Sequence, residues 1–443
     1  MNRPSSIVRA LAVTAFASGW VGVGVGGCVR GSPLDDEPLP AFEGGAVTPA
    51  GCGYQSVTGL GAEAPALSTA EVGTDPSIRH VHLGFVGDPR TSMVVTWRTR
   101  DDVTLAGTVR YGQAGVLDHE VTGYTFRYQT GLGGVGDIIV RIHEAHLCDL
   151  APDTAYDYQV VSDAGHVSPV YTFHTAPDMT ATPDATVAIT SVGDSRDGYT
   201  VWADLIGQIQ LRAPDLLVFS GDAVTFGTLQ NEWEDFFDVG EPLFATTPVV
   251  STHGNHDLNA INYYAQFAMP GDEANFGFDF GPAHITVAND SPPLLADLTG
   301  AIAQFLDDDL AAHGGAPWKL VAHHRPAYSA SLNHGSDATL QAEWVPIFDR
   351  HQVDMVLNGH DHDYERTFPM RGGQIGATAA DGTIYVVSGG AGATLYDPGT
   401  QPFTAKSAKL HSAVNLTIRR GHLAMEAFDE AGTPVDALVI DKP

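Results

Sequence analysis

Five short polar clusters carry side chains that can bind metal ions, and each directly follows an apolar strand candidate. They contain carboxylates, an amide and imidazoles, which suit Zn, Fe or Mn, and they offer no thiolate. Ligands of open α/β sheets gather at the carboxyl ends of strands, so five such strands would aim these clusters at one place. The clusters are Gly193-Asp194-Ser195-Arg196, Gly221-Asp222, Gly254-Asn255-His256-Asp257, His323-His324-Arg325-Pro326 and Gly359-His360-Asp361-His362.

Each cluster taken singly has an ordinary structural explanation. A Gly-Asp pair is a common turn, a His after a strand is usually a core residue, and Asn255-His256-Asp257 fits a simple loop. The pair His360 and His362 is more specific, because imidazoles two residues apart can straddle two metal ions. The ordered combination of all five clusters predicts a metal centre, where a Gly before each ligand lets the backbone turn tightly.

The elements that must position these clusters alternate between strands and helices from about residue 185 onward. This alternation predicts an α/β domain over 185–443. Its first strands are predicted at 187–192, 216–220, 249–250, 319–322 and 353–357, and its helices near 201–211, 231–237, 302–312 and 340–350. Further strands are predicted at 276–289, 383–388, 413–419 and 422–429.

A β-rich region precedes this domain, over residues 75–177. Short alternating strands separated by Gly, Pro and Asp predict a β-sandwich, with Trp97 in its core. The sequence of this region contains no cluster of polar residues that resembles an active site. Its strands are predicted at 81–85, 93–98, 107–111, 137–147, 156–162 and 170–174.

The order Asp, Gly-Asp, Gly-Asn-His, Val-x-x-His, Gly-His-x-His resembles the calcineurin-like metallophosphoesterase superfamily. Residues 321–329 and 359–366 resemble purple acid phosphatases in particular, and residues 81–97 resemble the fibronectin type III-like domain at the front of those enzymes. The resemblance runs from about Pro76 to the C-terminus. It implies an α/β (α+β) fold: a fibronectin type III-like β-sandwich followed by a metallophosphoesterase four-layer α/β/β/α sandwich.

The resemblance implies a centre of two divalent or trivalent metal ions, either Fe, Zn or Mn. A carboxylate bridging both ions sets them roughly 3.5–4 Å apart, which is the spacing of a phosphoryl clamp. Hydroxide generated from water at this centre would attack phosphorus in line with the ester oxygen. The implied ligands are Asp194, Asp222 and His362 for the first ion, and Asp222 as the bridge, Asn255, His324 and His360 for the second.

Three residues beyond the ligands are implied to act during catalysis. His256 matches the catalytic histidine of the family, as general acid or phosphate stabiliser, and together with Asn255 it would contact the substrate. Asp257 would either orient His256, as carboxylates near metal sites do, or cap the loop. His334 matches a second histidine that purple acid phosphatases place over the substrate; the alternative is a surface histidine.

Two positions depart from the family pattern. Purple acid phosphatases carry an iron-binding Tyr three residues after the bridging Asp, where this chain has Thr225. Many other metallophosphoesterases carry Asp-x-His in the first cluster, where this chain has Arg196. We therefore expect a loosely held first ion and no tyrosinate-to-iron absorption band. Arg196 would either contact the substrate phosphate, which a guanidinium matches bidentately, or form a salt bridge at the domain rim.

The function that these residues favour is metal-dependent hydrolysis of phosphomonoesters, as in acid phosphatases, with a small phosphorylated substrate. A phosphodiesterase or nucleotidase on the same core is the alternative. The width of the substrate pocket would decide between these activities, and it would be set by the loops at 223–233, 258–275 and 329–340. An alternative of another class is a non-catalytic cell-surface binding protein with a vestigial metal site. The retained ligands and His256 argue against it, because a decayed site should have lost some of them.

Composition limits the choice of partners. The chain has 443 residues, 43% of them hydrophobic and 17% charged, which indicates a folded protein of two or three domains. Lys and Arg number 22 against 53 Asp and Glu, giving a formal charge of −31. Such a surface repels polyanions, so no nucleic-acid partner is expected.

Residues 1–28 are predicted to be an export signal, because two arginines precede an uncharged, weakly apolar run. The run Val25-Gly26-Gly27-Cys28 resembles a bacterial lipoprotein cleavage box, which we favour over an ordinary cleaved signal. The predicted location is therefore the cell envelope as a lipoprotein, or the periplasm or exterior. Membrane contact is expected only through a lipid on Cys28.

Residues 29–74 are rich in Gly, Pro, Ala and Asp and are predicted to form a flexible tether with little regular structure. The chain has three cysteines. If Cys28 carries lipid, Cys52 and Cys148 either pair in an oxidising compartment or remain unpaired.

Overall fold

A computed structural model describes residues 46–57, 73–101, 103–130 and 138–442 of the chain. The predicted export signal and the predicted lipid attachment at Cys28 lie outside these residues. Within the described ranges, none of the helices has both the length and the apolar composition needed to cross a bilayer.

The N-terminal part of the described chain consists of β-strands. Their short runs of alternating residues, rich in Val, Tyr and Thr, are typical of strands with one buried face. These strands are β1 (Ala46–Val47), β2 (Ser56–Val57), β3 (Asp75–Gly84), β4 (Met93–Arg100), β5 (Gly107–Gly112), β6 (His119–Thr122), β7 (Tyr124–Thr130), β8 (Ile138–Leu147), β9 (Ala155–Ser162) and β10 (Tyr171–His174).

Two four-stranded antiparallel sheets form the predicted β-sandwich, with strand orders β3-β4-β8-β7 and β10-β9-β5-β6. Alternate residues of β3 and β4, including Leu83 and Val95, pack against Tyr158 and Val160 of β9. Trp97 lies fully buried in the same core, as predicted. The strand period of two therefore builds the core of this domain from one face of each sheet.

The prediction of a flexible tether over 29–74 is wrong for residues 46–57. Here β1 and β2 form a small antiparallel hairpin, and a disulfide joins Cys52 to Cys148 just after β8. The open question of cysteine pairing is thereby answered in favour of a disulfide. Val47 packs with Tyr124 and Phe126, so the hairpin is part of the folded body.

The second part of the chain alternates strands and helices, as predicted. Its helices are α1 (Tyr199–Gln210), α2 (Gln230–Phe244), α3 (Ile261–Gln266), α4 (Leu295–Thr299), α5 (Ala301–Ala312), α6 (Ala338–Glu343) and α7 (Val345–His351), with a 3-10 turn at Ala379–Asp381. Its strands are β11 (Val187–Val192), β12 (Leu216–Phe219), β13 (Val249–Ser251), β14 (Phe276–Phe280), β15 (Ala283–Val287), β16 (Trp318–Ala322), β17 (Met355–Asn358), β18 (Tyr364–Thr367), β19 (Met370–Arg371), β20 (Gln374–Ile375), β21 (Ile384–Ser388), β22 (Thr404–Ala408), β23 (Ser412–Arg419), β24 (His422–Asp429) and β25 (Pro434–Asp441).

These elements form four layers, which confirms the predicted fold class. One sheet has the order β13-β12-β11-β23-β24-β25 and the other has the order β14-β15-β16-β17-β21-β18-β22. Leu320 and Leu357 of the second sheet pack in one core with the first sheet, α1 and α2. Val321 and Val356 point the other way, into a core shared with α5 and α7. The strands are apolar on both faces because each sheet is covered on both sides.

Candidate metal centre

The five polar clusters lie where parallel strands of the two sheets end. Asp194 follows β11, Asp222 follows β12 and Asn255 follows β13, all in the first sheet. His324 follows β16, and His360 with His362 follows β17, in the second sheet. The two sheets therefore bring the ligand candidates together from opposite sides.

Backbone geometry aims these side chains inward. Asp194, Asp222 and His360 have positive φ values of 63°, 55° and 71°, a left-handed conformation that costs of order 1–3 kcal/mol for each non-glycine residue. A Cβ at Gly254 would collide with Asp222, and one at Gly359 would collide with the Asp194 carboxylate. The glycines before the ligands are thus needed for close packing of the strand ends.

Three predicted ligand atoms converge around a fourth, Nε2 of His324. Asn255 Oδ1 lies 3.1 Å from it, His360 Nδ1 3.3 Å and Asp222 Oδ1 3.4 Å. The other ring nitrogen, Nδ1, donates to the carbonyl of Ser220 at 2.7 Å, which leaves the lone pair on Nε2. This set of an amide oxygen, a carboxylate and two imidazoles fits the second predicted ion.

The electrostatics of this group also favour a bound cation. Burial alone would lower the pKa of His324, but the carboxylates of Asp222 and Asp194 raise it to about 10. The two carboxylates are almost completely buried. The negative charge around Nε2 of His324 therefore strongly favours a cation there. The same carboxylates that stabilise a proton on Nε2 would stabilise a metal ion bound to it.

The residues predicted for the first ion fit it only in part. Oδ1 of Asp194 is buried, has no hydrogen-bond partner and lies 3.5 Å from Nε2 of His362. Nδ1 of His362 donates to the carbonyl of Thr394 at 2.8 Å, so Nε2 carries the lone pair. However, a guanidinium nitrogen of Arg196 lies 3.3 Å from that Nε2, and Nε of Arg196 lies 3.5 Å from Oδ2 of Asp222. A metal ion bound by Asp194 and His362 would therefore lie in contact with the guanidinium of Arg196.

His256 lies beside the ligand atoms with one ring nitrogen left for a substrate. Its Nδ1 donates to the carbonyl of Thr225 at 2.9 Å, and its backbone N–H donates to Asp222 Oδ1 at 2.8 Å. Nε2 lies 4.0 Å from Asp222 Oδ2, and the side chain is 31% exposed. The geometry suits a group that meets substrate above the metal centre.

Asp257 does not orient His256, in contrast to the first of its two predicted roles. Its carboxylate accepts hydrogen bonds from the backbone N–H groups of Asp222, Ala223 and Gly254 at 2.8–3.1 Å. It is fully buried, and burial together with the Asp222 carboxylate raises its pKa. Asp257 therefore caps the loop and fixes two strand ends to each other, and the carbonyl of Thr225 takes the orienting role.

His334 reaches the site through the loop after β16. Its ring centroid lies 4.3 Å from that of His360, and the residue is exposed. Ser329, in the same loop, donates to the buried carboxylate of Asp361 at 2.6 Å. The loop thus places His334 at the rim of the metal centre, where a substrate would pass.

Tyr396 is a site residue that sequence reasoning did not identify. Its ring stacks on His362 with centroids 4.0 Å apart and lies 5.5 Å from His334. The loop that carries it follows β21 and begins with the Gly-rich run 389–392. This Gly-rich run at the end of a parallel strand could have indicated that the loop belongs to the site, because the other clusters show the same pattern.

Thr225, at the position of the family's iron-binding Tyr, does not face the ligands. Its hydroxyl donates to Asp197 Oδ1 at 2.8 Å. The expected lack of a tyrosinate-to-iron band stays a prediction.

Comparison with known families finds two matches that follow one another along the chain. The family described as Purple acid Phosphatase, N-terminal domain, matches residues 78–175. The family described as Calcineurin-like phosphoesterase matches residues 187–364, which include all the predicted ligands.

Individual relatives extend over both parts. Purple acid phosphatase 21 of Arabidopsis thaliana is 28% identical over 66% of this chain and 67% of its own length. Acid phosphatase type 7 of Homo sapiens is 26% identical over 82% of this chain and 90% of its own length. Among solved structures, purple acid phosphatase PPD1 from yellow lupin has the same fold, with a TM-score of 0.73 and 19% identity over 83% of this chain and 74% of its own.

Proposed function

Because this chain is a purple acid phosphatase-like member of the calcineurin-like phosphoesterases, and so a hydrolase of phosphoric esters, we propose that it hydrolyses small phosphomonoesters at a metal centre beside Asp222. The observation that carries this proposal is the convergence of Asp222, Asn255 and His360 on His324, with their ligand atoms 3.1–3.4 Å from its Nε2. The family implies a dinuclear centre, of which the second ion's ligands fit best. A bound metal supplies Lewis acidity toward the phosphate ester and activates water.

The chain's own residues have separate tasks around this centre. His256 is held through Nδ1, which leaves Nε2 facing the site, and in the imidazolium form of the ring Nε2 would donate its proton to the leaving-group oxygen, which is general acid catalysis. His334 lies at the rim beside His360, and its proposed task is to contact the substrate from the opposite loop. Arg196 adds a guanidinium that matches phosphate oxygens.

The experiment that tests the proposal compares 4-nitrophenyl phosphate with bis(4-nitrophenyl) phosphate as substrates. The metal-loaded enzyme is expected to give the higher kcat/KM on the monoester. Removal of metal by a chelator should abolish hydrolysis, and Zn, Mn or Fe should restore it. A preference for the diester would instead support the phosphodiesterase alternative, and hydrolysis that survives complete metal removal would refute the proposed centre.

A further inference from the structure

The guanidinium of Arg196 lies among the atoms expected to hold the first metal ion. It contacts Nε2 of His362 at 3.3 Å and Oδ2 of Asp222 at 3.5 Å. Its remaining close carboxylate is that of Asp197, at 3.7 Å, and that side chain is 62% exposed. The two shorter contacts go to the interior of the site, so Arg196 is directed inward.

The contact with His362 uses the electron pair that a metal would need. Nδ1 of His362 donates to the carbonyl of Thr394, so the lone pair is on Nε2, and the guanidinium N–H donates to it. An ion bonded to this nitrogen would lie about 2.0–2.1 Å from it. One lone pair cannot accept the Arg196 N–H and bind a metal at the same time, so the two cations exclude each other.

The position of Arg196 is fixed by its surroundings. The side chain is 13% exposed, and its Nε is buried without a hydrogen-bond partner, 3.5 Å from Oδ2 of Asp222. The residues on either side are tied down, since Ser195 donates to the carbonyl of Ala223 and Asp197 accepts from Thr225. A charged side chain this buried is stabilised by opposite charge, and the buried carboxylate of Asp222 provides it.

We propose that the guanidinium of Arg196 takes the place of the first metal ion, so that the centre holds one ion, bound by Asp222, Asn255, His324 and His360. This inference rests on the metal centre of the proposed function and specifies it further. The buried carboxylates of Asp194 and Asp222 are then neutralised by one metal ion and one guanidinium, and a second divalent ion would place a third cation beside them. The guanidinium also provides a planar pair of donors for a phosphate oxygen.

The test measures bound metal in the full-length protein. Wild type, Arg196→Ala, Arg196→Gln and the control Arg110→Ala, an exposed residue of the β-sandwich, are equilibrated with excess Mn²⁺. The number of Mn²⁺ ions bound per chain is then determined by elemental mass spectrometry. Electron paramagnetic resonance shows whether neighbouring ions are spin-coupled. Wild type and the control are expected to bind one uncoupled ion. Either Arg196 variant is expected to bind two coupled ions, and the Gln variant serves if the Ala variant misfolds.

Two further variants distinguish the ligand groups. If Arg196 replaces the first ion, His362→Ala should keep the single ion, whereas His324→Ala should lose it. Two coupled ions in wild type would overturn this inference and leave the proposed function intact. One ion in every Arg196 variant would overturn it as well, because the guanidinium would not be what excludes the second ion. A wild-type protein that binds no ion would refute the metal centre itself, and with it both proposals.

Discussion

His256 is the residue on which the proposed proton transfer depends most directly. His256→Ala is expected to lower kcat by roughly 10²–10⁴-fold, the usual contribution of a general acid. The metal content should not change, because His256 reaches Asp222 through its backbone N–H, which alanine retains. Steady-state kinetics on a phosphomonoester and metal analysis of the same sample measure both quantities.

The exposed His119, in β6 of the sandwich, provides a matched control. His119→Ala should leave both kcat and metal content at the wild-type level. A His256→Ala enzyme with full metal content and wild-type turnover would show that the proton comes from elsewhere, and His334 would be the next residue to change.

At the scale of elements, strand β3 of the sandwich docks on helix α2 of the catalytic domain through charged side chains. Arg79 donates to the carboxylate of Asp238, and the backbone N–H of His80 donates to Glu241 at 2.8 Å. The ring of His80 contacts Asp238 at 2.9 Å. Arg98 of β4 forms an ion pair with Glu234 of α2. Polar contacts along one face of α2 therefore contribute to the interface between the two domains.

Burial lowers the pKa of His80 to about 4, and this outweighs the attraction of Asp238. We therefore treat His80 as a neutral ring that donates to Asp238. The unfolded chain, in which the pKa of His80 is about 6.5, binds the proton more readily than the folded chain does. Stability from this group is thus fully present above about pH 6.5 and is lost as the pH falls toward 4.

His80→Gln should reduce the acid sensitivity of the fold. The loss of unfolding free energy between pH 7 and pH 4 is expected to be smaller in the variant by about 2–4 kcal/mol, from the size of the pKa shift. Urea unfolding of both proteins at the two pH values measures the difference, with His119→Gln as the control. Equal pH dependence in wild type and His80→Gln would contradict the neutral, buried state of His80.

Some helices and strands differ from those predicted from the sequence. The single predicted helix over 340–350 is two helices, α6 and α7, because Pro346 lacks an N–H and would clash with the preceding turn. The predicted strand over 276–289 is a hairpin, which turns at Gly281 with a φ of 57°. The predictions also lacked β25, an edge strand whose residues are largely exposed and show little apolar alternation.

At the scale of the whole molecule, the disulfide between Cys52 and Cys148 fastens the N-terminal hairpin to the end of β8. Such a bond stabilises mainly by restricting the unfolded chain, here across a sequence separation of 96 residues. Disulfides persist in oxidising compartments, which agrees with the export predicted from the sequence.

Changing both cysteines, Cys52→Ser with Cys148→Ser, is therefore expected to lower the free energy of unfolding by about 2–5 kcal/mol. Calorimetry or denaturant unfolding measures the loss, and wild type with its disulfide reduced should show a loss of the same size. Metal content should be unchanged, because the bond lies in the sandwich and not in the catalytic domain. A double variant as stable as the oxidised protein would mean that the bond does not constrain the unfolded state.

The sequence by itself determined the fold class and the identity of the clusters that form the site. Each cluster is a local pattern, an apolar strand followed by Gly and a polar side chain, and parallel strands bring their ends together. Neither Asp257 nor Arg196 could be assigned in this way, and Tyr396 was not identified at all. Their roles depend on contacts between distant parts of the chain, such as the contact of Arg196 with His362, 166 residues away. The lone pair of His362 can bind a metal ion or accept a hydrogen bond from a guanidinium, and the sequence does not distinguish the two. Only the tertiary structure decided between them, because packing places the guanidinium of Arg196 against this nitrogen.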